Sequence, residues 1–416
     1  MSGIISRKER DYIRELAKKQ LETANGKEML EKEALWYTHN DCKSNKRPMI
    51  TLERGTFNRE FEHLWKPVCE SETARNIEYY FHSNYIQYEY ICDDTVMPKE
   101  FAIGIWAGLK PFDIDVKQEK RINETFAYKL DYPLKDLEED FHRLKKSPRY
   151  CNFENSENYK KTVEDIIGDI MPVRLSFGPY VGLAANINCL MGLETMMISM
   201  YDYPELFHKM MQMLTDDYLE LWDWAEKNNY IYPNNFNTGT TQGSYGFSRD
   251  IVSSQKQSGF NLGDTWGYAE SQETSEISPD MYHEFFFPYY KKVTEKFGRL
   301  GYGCCESVSA IWEKSASNYS NLRKLSVSPW CDEEYIGDKL KNTNITYHRK
   351  PFPNHLSIDK IFDEKTFASH IEKSLKAAKG CFFEISYRDV YSLQGELYRG
   401  KKAYNIIMDC IEKFWR

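Results

Sequence analysis

The chain has 416 residues, of which 41% are hydrophobic and 15% aromatic, and its formal net charge is −8. This composition supports a large core and argues against an intrinsically disordered protein, while the length indicates two domains or one large α/β barrel with additions. Basic residues fall mostly in isolated pairs such as Lys18-Lys19 and Lys401-Lys402, which argues against nucleic acid as a partner because phosphate binding needs clustered positive charge.

No segment predicts export or membrane insertion. The N-terminal residues 1–12 are charged and lack the apolar core of a signal peptide. The longest apolar stretch is interrupted by Asn186, Asn188 and Glu194, which a bilayer would penalise. Ten cysteines are scattered without a disulfide framework and are expected to be reduced. The sequence therefore predicts a cytoplasmic protein with neither a membrane nor a nucleic acid as partner.

Helix signals recur along the chain. Ser6 and Glu9 form a capping-box pattern, and Ser278-Pro279 places a capping residue before a proline at the first helical position. Start signals and apolar periodicity predict helices at about 6–35, 204–228, 278–297, 307–316, 364–379 and 401–415.

Short apolar runs between these helices predict strands. They cover 49–52, 173–177, 260–262, 300–303, 325–327, 345–347 and 382–385. Several are followed at once by polar residues, and the repeated order of strand, polar loop and helix is typical of a parallel sheet whose chemistry collects at one edge. At least six such units favour a closed TIM (βα)₈ barrel over an open sheet. The expected organisation is a largely helical extension, residues 1–150, packed on a barrel formed by residues 151–416.

The most informative segment places Cys304, Cys305 and Glu306 between an apolar stretch that ends at Tyr302 and an amphipathic one that begins at Ser307. If the first is a strand and the second a helix, both thiols lie beside a helix N-terminus, where the helix dipole favours thiolates. The alternative, in which the two cysteines pack as small apolar residues, stays open.

The other candidate site residues lie at or near the ends of the predicted strands. Glu306, Glu384 and His348 are the candidate catalytic residues, although Glu384 could be ion-paired in the core and His348 could make a structural hydrogen bond. The candidate substrate-binding residues are Asp264, Trp266, Glu270, Trp330, Arg349, Lys350 and Asp389. The two tryptophans either pack in the core or form walls for a flat substrate.

Several of these segments resemble one known family. They are Gly263 to Gly267, Ser278-Pro279, Phe297-Gly298, Tyr302 to Glu306, Asn321 to Arg323 and Ser326 to Trp330, together with Trp36 to Pro48 and Cys92 to Val96. The chain resembles the uroporphyrinogen-decarboxylase-like proteins over nearly its whole length. More narrowly, it is similar to their corrinoid-linked methyltransferase branch, often described as the uroporphyrinogen decarboxylase or cobalamin-independent methionine synthase family.

The resemblance implies a TIM barrel and methyl transfer that involves a corrinoid. Relatives hold zinc through a His-x-Cys pair and a later cysteine, whereas Tyr302 stands here where the histidine would fall. Cys304 and Cys305 are therefore the candidate ligands of an expected Zn²⁺ site that lacks a complete spacing signature. The chain shows no cobalamin-binding module, so cobalamin is expected to arrive on a partner corrinoid protein.

The function expected from this resemblance is transfer of a methyl group from a small methylated compound, such as a methoxylated aromatic, to the cobalt of that partner. A zinc ion or a protonated carboxyl, that of Glu306 or Glu384, would stabilise the departing oxygen anion. Two alternatives stay open: a non-catalytic binding protein that keeps the barrel, and a decarboxylase, for which the chain lacks clustered arginines. The oligomeric state, with a homodimer as one option, is also open.

Overall fold

Strands and helices alternate along residues 5–120 and 128–415, which are the residues that this computed structural model describes. The strands are β1 (Met49–Leu52), β2 (Phe101–Ile105), β3 (Ala107–Leu109), β4 (Lys117–Lys120), β5 (Tyr128–Asp131), β6 (Arg149–Cys151), β7 (Val173–Phe177), β8 (Tyr180–Val181), β9 (Gly239–Thr241), β10 (Ser244–Tyr245), β11 (Trp266–Ala269), β12 (Arg299–Tyr302), β13 (Leu322–Val327), β14 (Thr346–Arg349) and β15 (Phe382–Tyr387). The protein is thus a mixed α/β structure, as the sequence predicts.

The helices are α1 (Arg7–Ala24), α2 (Lys27–Asn40), α3 (Glu72–Ile86), α4 (Leu137–Asp140), α5 (Phe153–Ile167), α6 (Leu183–Asp202), α7 (Pro204–Lys227), α8 (Pro279–Phe285), α9 (Phe287–Thr294), α10 (Val308–Ile311), α11 (Glu333–Leu340), α12 (Asn354–Ser357), α13 (Glu364–Ala377) and α14 (Arg399–Phe414). The capping box is confirmed: Glu9 N donates to Ser6 Oγ (3.3 Å) and Ser6 N donates to Glu9 Oε2 (2.7 Å). The helix predicted over 278–297 divides at Phe286 because Pro288 cannot donate the backbone hydrogen bond that a continuous helix needs.

Seven strands form one parallel sheet in the order β1-β15-β14-β13-β12-β11-β8. Side chains of directly paired residues lie on the same face of such a sheet. His348 pairs with Glu384, and Ser326 pairs with His348, so these three side chains share one face. Gly301 pairs with Lys324 and lies on this face too.

A second parallel pair extends the strand order. β2 pairs with β7, and β7 runs into β8, which pairs with β11 in the large sheet. β1 and β2 both lie in the segment 1–150, and both pair with strands that follow it. Two of the parallel strands, β1 and β2, therefore lie before residue 150, in the segment that the sequence predicts to be a largely helical extension. Residues 1–4 and 121–127 of the predicted extension lie outside the described residues.

The strand predicted at 260–262 is wrong in position. Residues Leu262–Asp264 form a 3₁₀ turn, and β11 begins only at Trp266. Asp264 Oδ2 accepts a hydrogen bond from Asn261 N at 2.9 Å, which closes this turn. Asp264 and Trp266 consequently lie at the amino end of a strand rather than following its carboxyl end.

A short antiparallel hairpin, β9 and β10, packs against the face of the sheet that carries Lys324, His348 and Glu384. Thr51 Oγ1 and Ser386 Oγ donate to Gly243 O at the hairpin turn, at 2.6 and 2.9 Å. A Cβ atom at Gly301 would lie 2.1 Å from Thr241 Cγ2. The hairpin therefore needs glycine at this position of β12, because a larger residue would push it off the sheet.

Helix α6 is the one helix of the described residues that is long and apolar enough to cross a membrane, with a mean hydropathy of 1.2. Half of that stretch is buried inside the protein, and the backbone departs from helical geometry at Gly192 (φ 73°). A single half-buried helix of this kind is weak evidence for a membrane span, since core helices have the same composition.

Candidate active site

Two thiols, those of Cys304 and Cys305, follow β12 directly at the carboxyl edge of the sheet. Gly303 has a φ of 99°, a value that glycine adopts without strain, and it turns the chain here. Cys304 is buried and Cys305 is exposed, and their Sγ atoms lie 3.6 Å apart. The helix that follows, α10, has only four residues and therefore a small summed dipole. The thiolate expected here must be stabilised by other groups.

Those groups surround Cys304. The hydrogen bond with Cys305 lowers the pKa of Cys304, and the positive charge of Lys350 acts in the same direction against the effect of burial. Arg388 Nη1 lies 3.8 Å from Cys304 Sγ, and the side-chain oxygen of Gln242 lies 2.9 Å from it. Donating that hydrogen bond, together with burial, raises the pKa of Cys305. The neighbouring positive charges of Lys350 and Arg388 thus favour the thiolate form at Cys304 over that at Cys305.

Glu306 joins two loops at this edge. Its carboxylate accepts Ser271 N at 2.9 Å from the loop after β11, and Cys304 N at 2.7 Å from the loop after β12. Burial, followed by the nearby charge of Glu270, raises the pKa of Glu306 to about 7 despite these hydrogen bonds. The carboxyl is therefore partly protonated at neutral pH while it holds the two loops together.

A second carboxyl with a raised pKa, that of Glu273, lies on the 3₁₀ turn after β11. Burial and then the charge of Glu270 raise its pKa to about 7. Glu270 itself accepts hydrogen bonds from Tyr180 OH at 2.5 Å and from Gln272 N at 3.2 Å. Because three carboxyls are crowded together, two of them are held partly neutral.

An open cavity of about 540 Å³ lies at this edge. Its wall includes the side chains of Glu273, Cys305 and Trp330, and Trp330 is 68% exposed. Asn188 and Leu193 of α6 also line the cavity. The cavity is of a size that suits a small organic molecule, and it brings such a molecule next to the Glu273 carboxyl, whose pKa is raised.

Glu384 and His348 lie further inside the protein than the cysteines. Glu384 is two residues before Ser386 in β15, and His348 is two residues before Lys350, which follows β14. Glu384 Oε2 lies 3.1 Å from Lys324 Nζ and 3.1 Å from His39 Nε2, and its other oxygen lies 3.2 Å from His348 Nδ1. Although burial opposes ionisation, the positive charge of Lys324 holds the pKa of Glu384 well below its usual range. Burial lowers the pKa of His348 to about 3. This interior cluster is one buried ion pair flanked by neutral histidines.

The hairpin turn separates the interior cluster from the edge. Gln242 accepts from Lys350 Nζ at 3.2 Å and contacts Cys304, whereas the next residue, Gly243, accepts from Ser386. Ser386 Oγ in turn lies 2.8 Å from His348 Nε2. Glu384 and His348 are thus linked to the hairpin through Lys324 and Ser386, whereas Cys304 contacts its Gln242 directly.

The donor set does not fit the expected zinc ion. Among residues 5–120 and 128–415, no group of three or more His, Cys, Asp and Glu side chains is arranged to hold a metal. Lys350 and Arg388 lie beside Cys304, and positive neighbours disfavour a divalent cation. Glu306 is occupied by backbone N–H groups, and His348 is held in the interior cluster.

The predicted substrate-binding residues fall in different places. Glu270 and Lys350 lie at the cysteine edge, and Trp330 lines the cavity. Arg349 is buried outside this site, where it donates to Glu333 Oε1 (2.9 Å) and to backbone carbonyls. Asp389 follows β15 near Cys305, where its charge contributes to the raised pKa of that thiol.

Asp264 and Trp266 lie away from the edge. Asp264 is paired with Lys256. Trp266 is buried, and its Nε1 donates to Gly246 O at 2.9 Å beneath the hairpin. Both expectations depend on a predicted strand that begins six residues too early. In the structure Trp266 packs beneath the hairpin, and Asp264 closes a turn and pairs with Lys256.

Three residues at or below this edge were not predicted: Gln242, Glu273 and Lys324. Lys324 is a lysine inside an apolar strand, and such a buried charge is a signal for a paired carboxylate, here Glu384. Glu273 and Gln242 lie in polar segments that carry no comparable signal in the sequence.

Comparisons with known proteins give little. No protein-family model matches the chain, and no curated protein matches it. Among solved structures, the chain is similar to a methyltransferase from Methanosarcina mazei at 10% sequence identity. That alignment covers 89% of this chain and 96% of the other, with a TM-score of 0.48.

Proposed function

We propose that this protein is a methyltransferase that moves a methyl group from a small methylated donor to the cobalt of a separate corrinoid protein. The sequence motifs at 302–306 and 326–330 support the methyl-transfer and corrinoid parts of the proposal by resemblance. The main structural support for acid-assisted methyl transfer is the Glu273 carboxyl. It lies in the wall of the open cavity, and its pKa is raised to about 7.

Cleavage of a methyl–oxygen bond requires that the charge on the departing oxygen be neutralised, and a neutral carboxyl can do this. An alkoxide or phenolate leaves poorly unless a proton or a metal neutralises the developing charge. The donor set does not fit zinc, and Glu384 is held ionised by Lys324, so neither can fill this role. Glu273 lines the cavity and can reach a bound donor, whereas Glu306 lies behind it and is 4% exposed.

The shape of the cavity suits a flat donor such as a methoxylated aromatic. The exposed Trp330 ring offers a face on which an aromatic ring can stack. Within the cavity wall, Glu273 then protonates the oxygen from which the methyl group departs. The corrinoid of the partner would supply the nucleophile, and the open mouth beside Leu193, which is 41% exposed, leaves room for its approach.

We also propose that the parallel strands close into the (βα)₈ barrel that the sequence predicts. Eight segments follow one another in the order β1, β2, β7 with β8, β11, β12, β13, β14 and β15. The loop before β2 bonds to β1, since Leu52 N donates to Asp93 Oδ2 at 2.7 Å and Asp94 N donates to Ile50 O at 2.9 Å. These bonds tie β1 to the segment that leads into β2, the position where closure would be needed.

A donor panel with deuterated methyl groups tests the function. Purified protein is mixed with a reduced corrinoid protein and each CD₃-labelled donor, and the corrinoid is then analysed by mass spectrometry. We expect the label on cobalt with at least one methoxylated aromatic, and none when the protein is omitted. Absence of label with every donor would overturn the proposal.

A non-catalytic binding protein is the second candidate, and the missing zinc ligand favours it. Tyr302 OH lies 2.6 Å from Tyr282 OH in the core, where relatives have a metal-binding histidine. Saturable binding of a donor without label transfer would support this reading. Decarboxylation of a polycarboxylate is disfavoured, because the residues that line this cavity include neither Lys nor Arg.

A further inference from the structure

Cys304 and Cys305 take no part in the proposed methyl transfer, and their arrangement suits a different reaction. Their Sγ atoms are 3.6 Å apart, and a disulfide bond is about 2.05 Å long. The sulfurs must approach by about 1.5 Å to form this bond, which requires side-chain rotation and distortion of the peptide between the two residues.

The two thiols differ in ways that assign each a role. Arg388 Nη1 lies 3.8 Å from Cys304 Sγ, and a positive charge beside a thiol favours the thiolate, which is the form that oxidants attack. Cys304 is 4% exposed, so only a small oxidant can reach it, whereas Cys305 is exposed and lines the cavity. The hydrogen bond between them keeps the Cys305 thiol directed at the Cys304 sulfur.

We propose that Cys304 is a site of oxidation by small hydroperoxides and that Cys305 resolves the product into a reversible disulfide between the two residues. The Cys304 thiolate attacks the outer oxygen of the hydroperoxide, the O–O bond breaks, and the alkoxide or hydroxide that leaves is protonated by water. This step forms the sulfenic acid of Cys304. The Cys305 sulfur then attacks that sulfur, the S–O bond breaks, and the oxygen leaves as water with the thiol proton. Two electrons pass from the two cysteines to the hydroperoxide.

The bond should be easy to reduce again. Adjacent residues have Cα atoms about 3.8 Å apart, which is closer than the 4.4–6.8 Å of most disulfides. A disulfide between them is therefore strained, and strained or exposed disulfides have more oxidising potentials. Small thiols should restore both cysteines, so the modification is reversible.

Mass spectrometry of the intact protein tests the proposal without any activity assay. After brief treatment with hydrogen peroxide, we expect the full chain to lose two hydrogens, located in the tryptic peptide 300–314, and to regain them with dithiothreitol. In C305S the same treatment should leave a sulfenic acid at Cys304 that dimedone labels. In C304S the peptide should remain unmodified.

A matched control uses Cys42, which also lies beside an arginine, with Arg323 Nη1 at 3.1 Å, but whose thiol donates to the Asn344 carbonyl at 3.5 Å. C42S should react as the wild type does. A stable sulfenic acid in the wild-type peptide would show that Cys305 does not resolve it and would overturn the proposal. Dimedone labelling of Cys305 in C304S, or no reaction at Cys304, would do the same.

Discussion

Replacing Glu273 with glutamine is expected to lower the rate of methyl transfer by about 10²- to 10⁴-fold, the usual loss when a positioned acid is removed. Glutamine keeps the shape of the side chain but cannot give up a proton to the departing oxygen. The measurement is the single-turnover rate of cobalt methylation at saturating donor, followed by the absorbance of the reduced corrinoid.

The matched control is Glu334→Gln, since Glu334 is an exposed carboxylate on α11 outside the cavity wall. Its rate should equal that of the wild type. If Glu306→Gln abolishes transfer while Glu273→Gln leaves it intact, the proton comes from Glu306 and the assignment to Glu273 is wrong.

The second large effect concerns stability. Glu384→Gln should reduce the free energy of unfolding by about 3–5 kcal/mol, because it leaves the buried ammonium of Lys324 without a counter-charge. Urea denaturation monitored by tryptophan fluorescence measures this change.

Replacing both partners distinguishes the contribution of the ion pair to the free energy of unfolding from that of side-chain packing. Glu384→Met combined with Lys324→Met removes both charges together, and such a replacement is often neutral or stabilising. We expect the double variant to recover most of the stability lost in Glu384→Gln. A single variant as stable as the wild type would show that Lys324 is neutral or finds another partner.

The parallel sheet was predictable where apolar runs end abruptly in polar residues. β12, β13, β14 and β15 all have this pattern, and the structure places each within two or three residues of its predicted position. β2 was missed because Gly104 interrupts a short run in a segment without other strand signals. β11 was placed too early because the apolar residues Phe260 and Leu262 precede it, while Gly267 weakens the true strand.

The site was predictable where it follows strand ends. The strand-end rule selected Cys304, Glu306 and Lys350, and the structure places them at one edge. Gln242 lies 62 residues before Cys304 in the sequence, and no periodic pattern predicts a contact between residues so far apart. The same hairpin keeps Glu384 and His348 away from the cavity, so their place in an ion-paired cluster required the tertiary structure.

The dependence of methyl transfer on pH tests most directly the central claim that a neutral carboxyl at this edge supplies the proton. The pKa of Glu273 is raised to about 7, so the protonated form that the reaction needs is present below this pH and is lost above it. We predict a single-turnover rate that is constant in mildly acidic solution and falls about tenfold per pH unit above pH 7. A rate that rises with pH through this range would contradict the account, because it would show that the reaction needs a base rather than an acid.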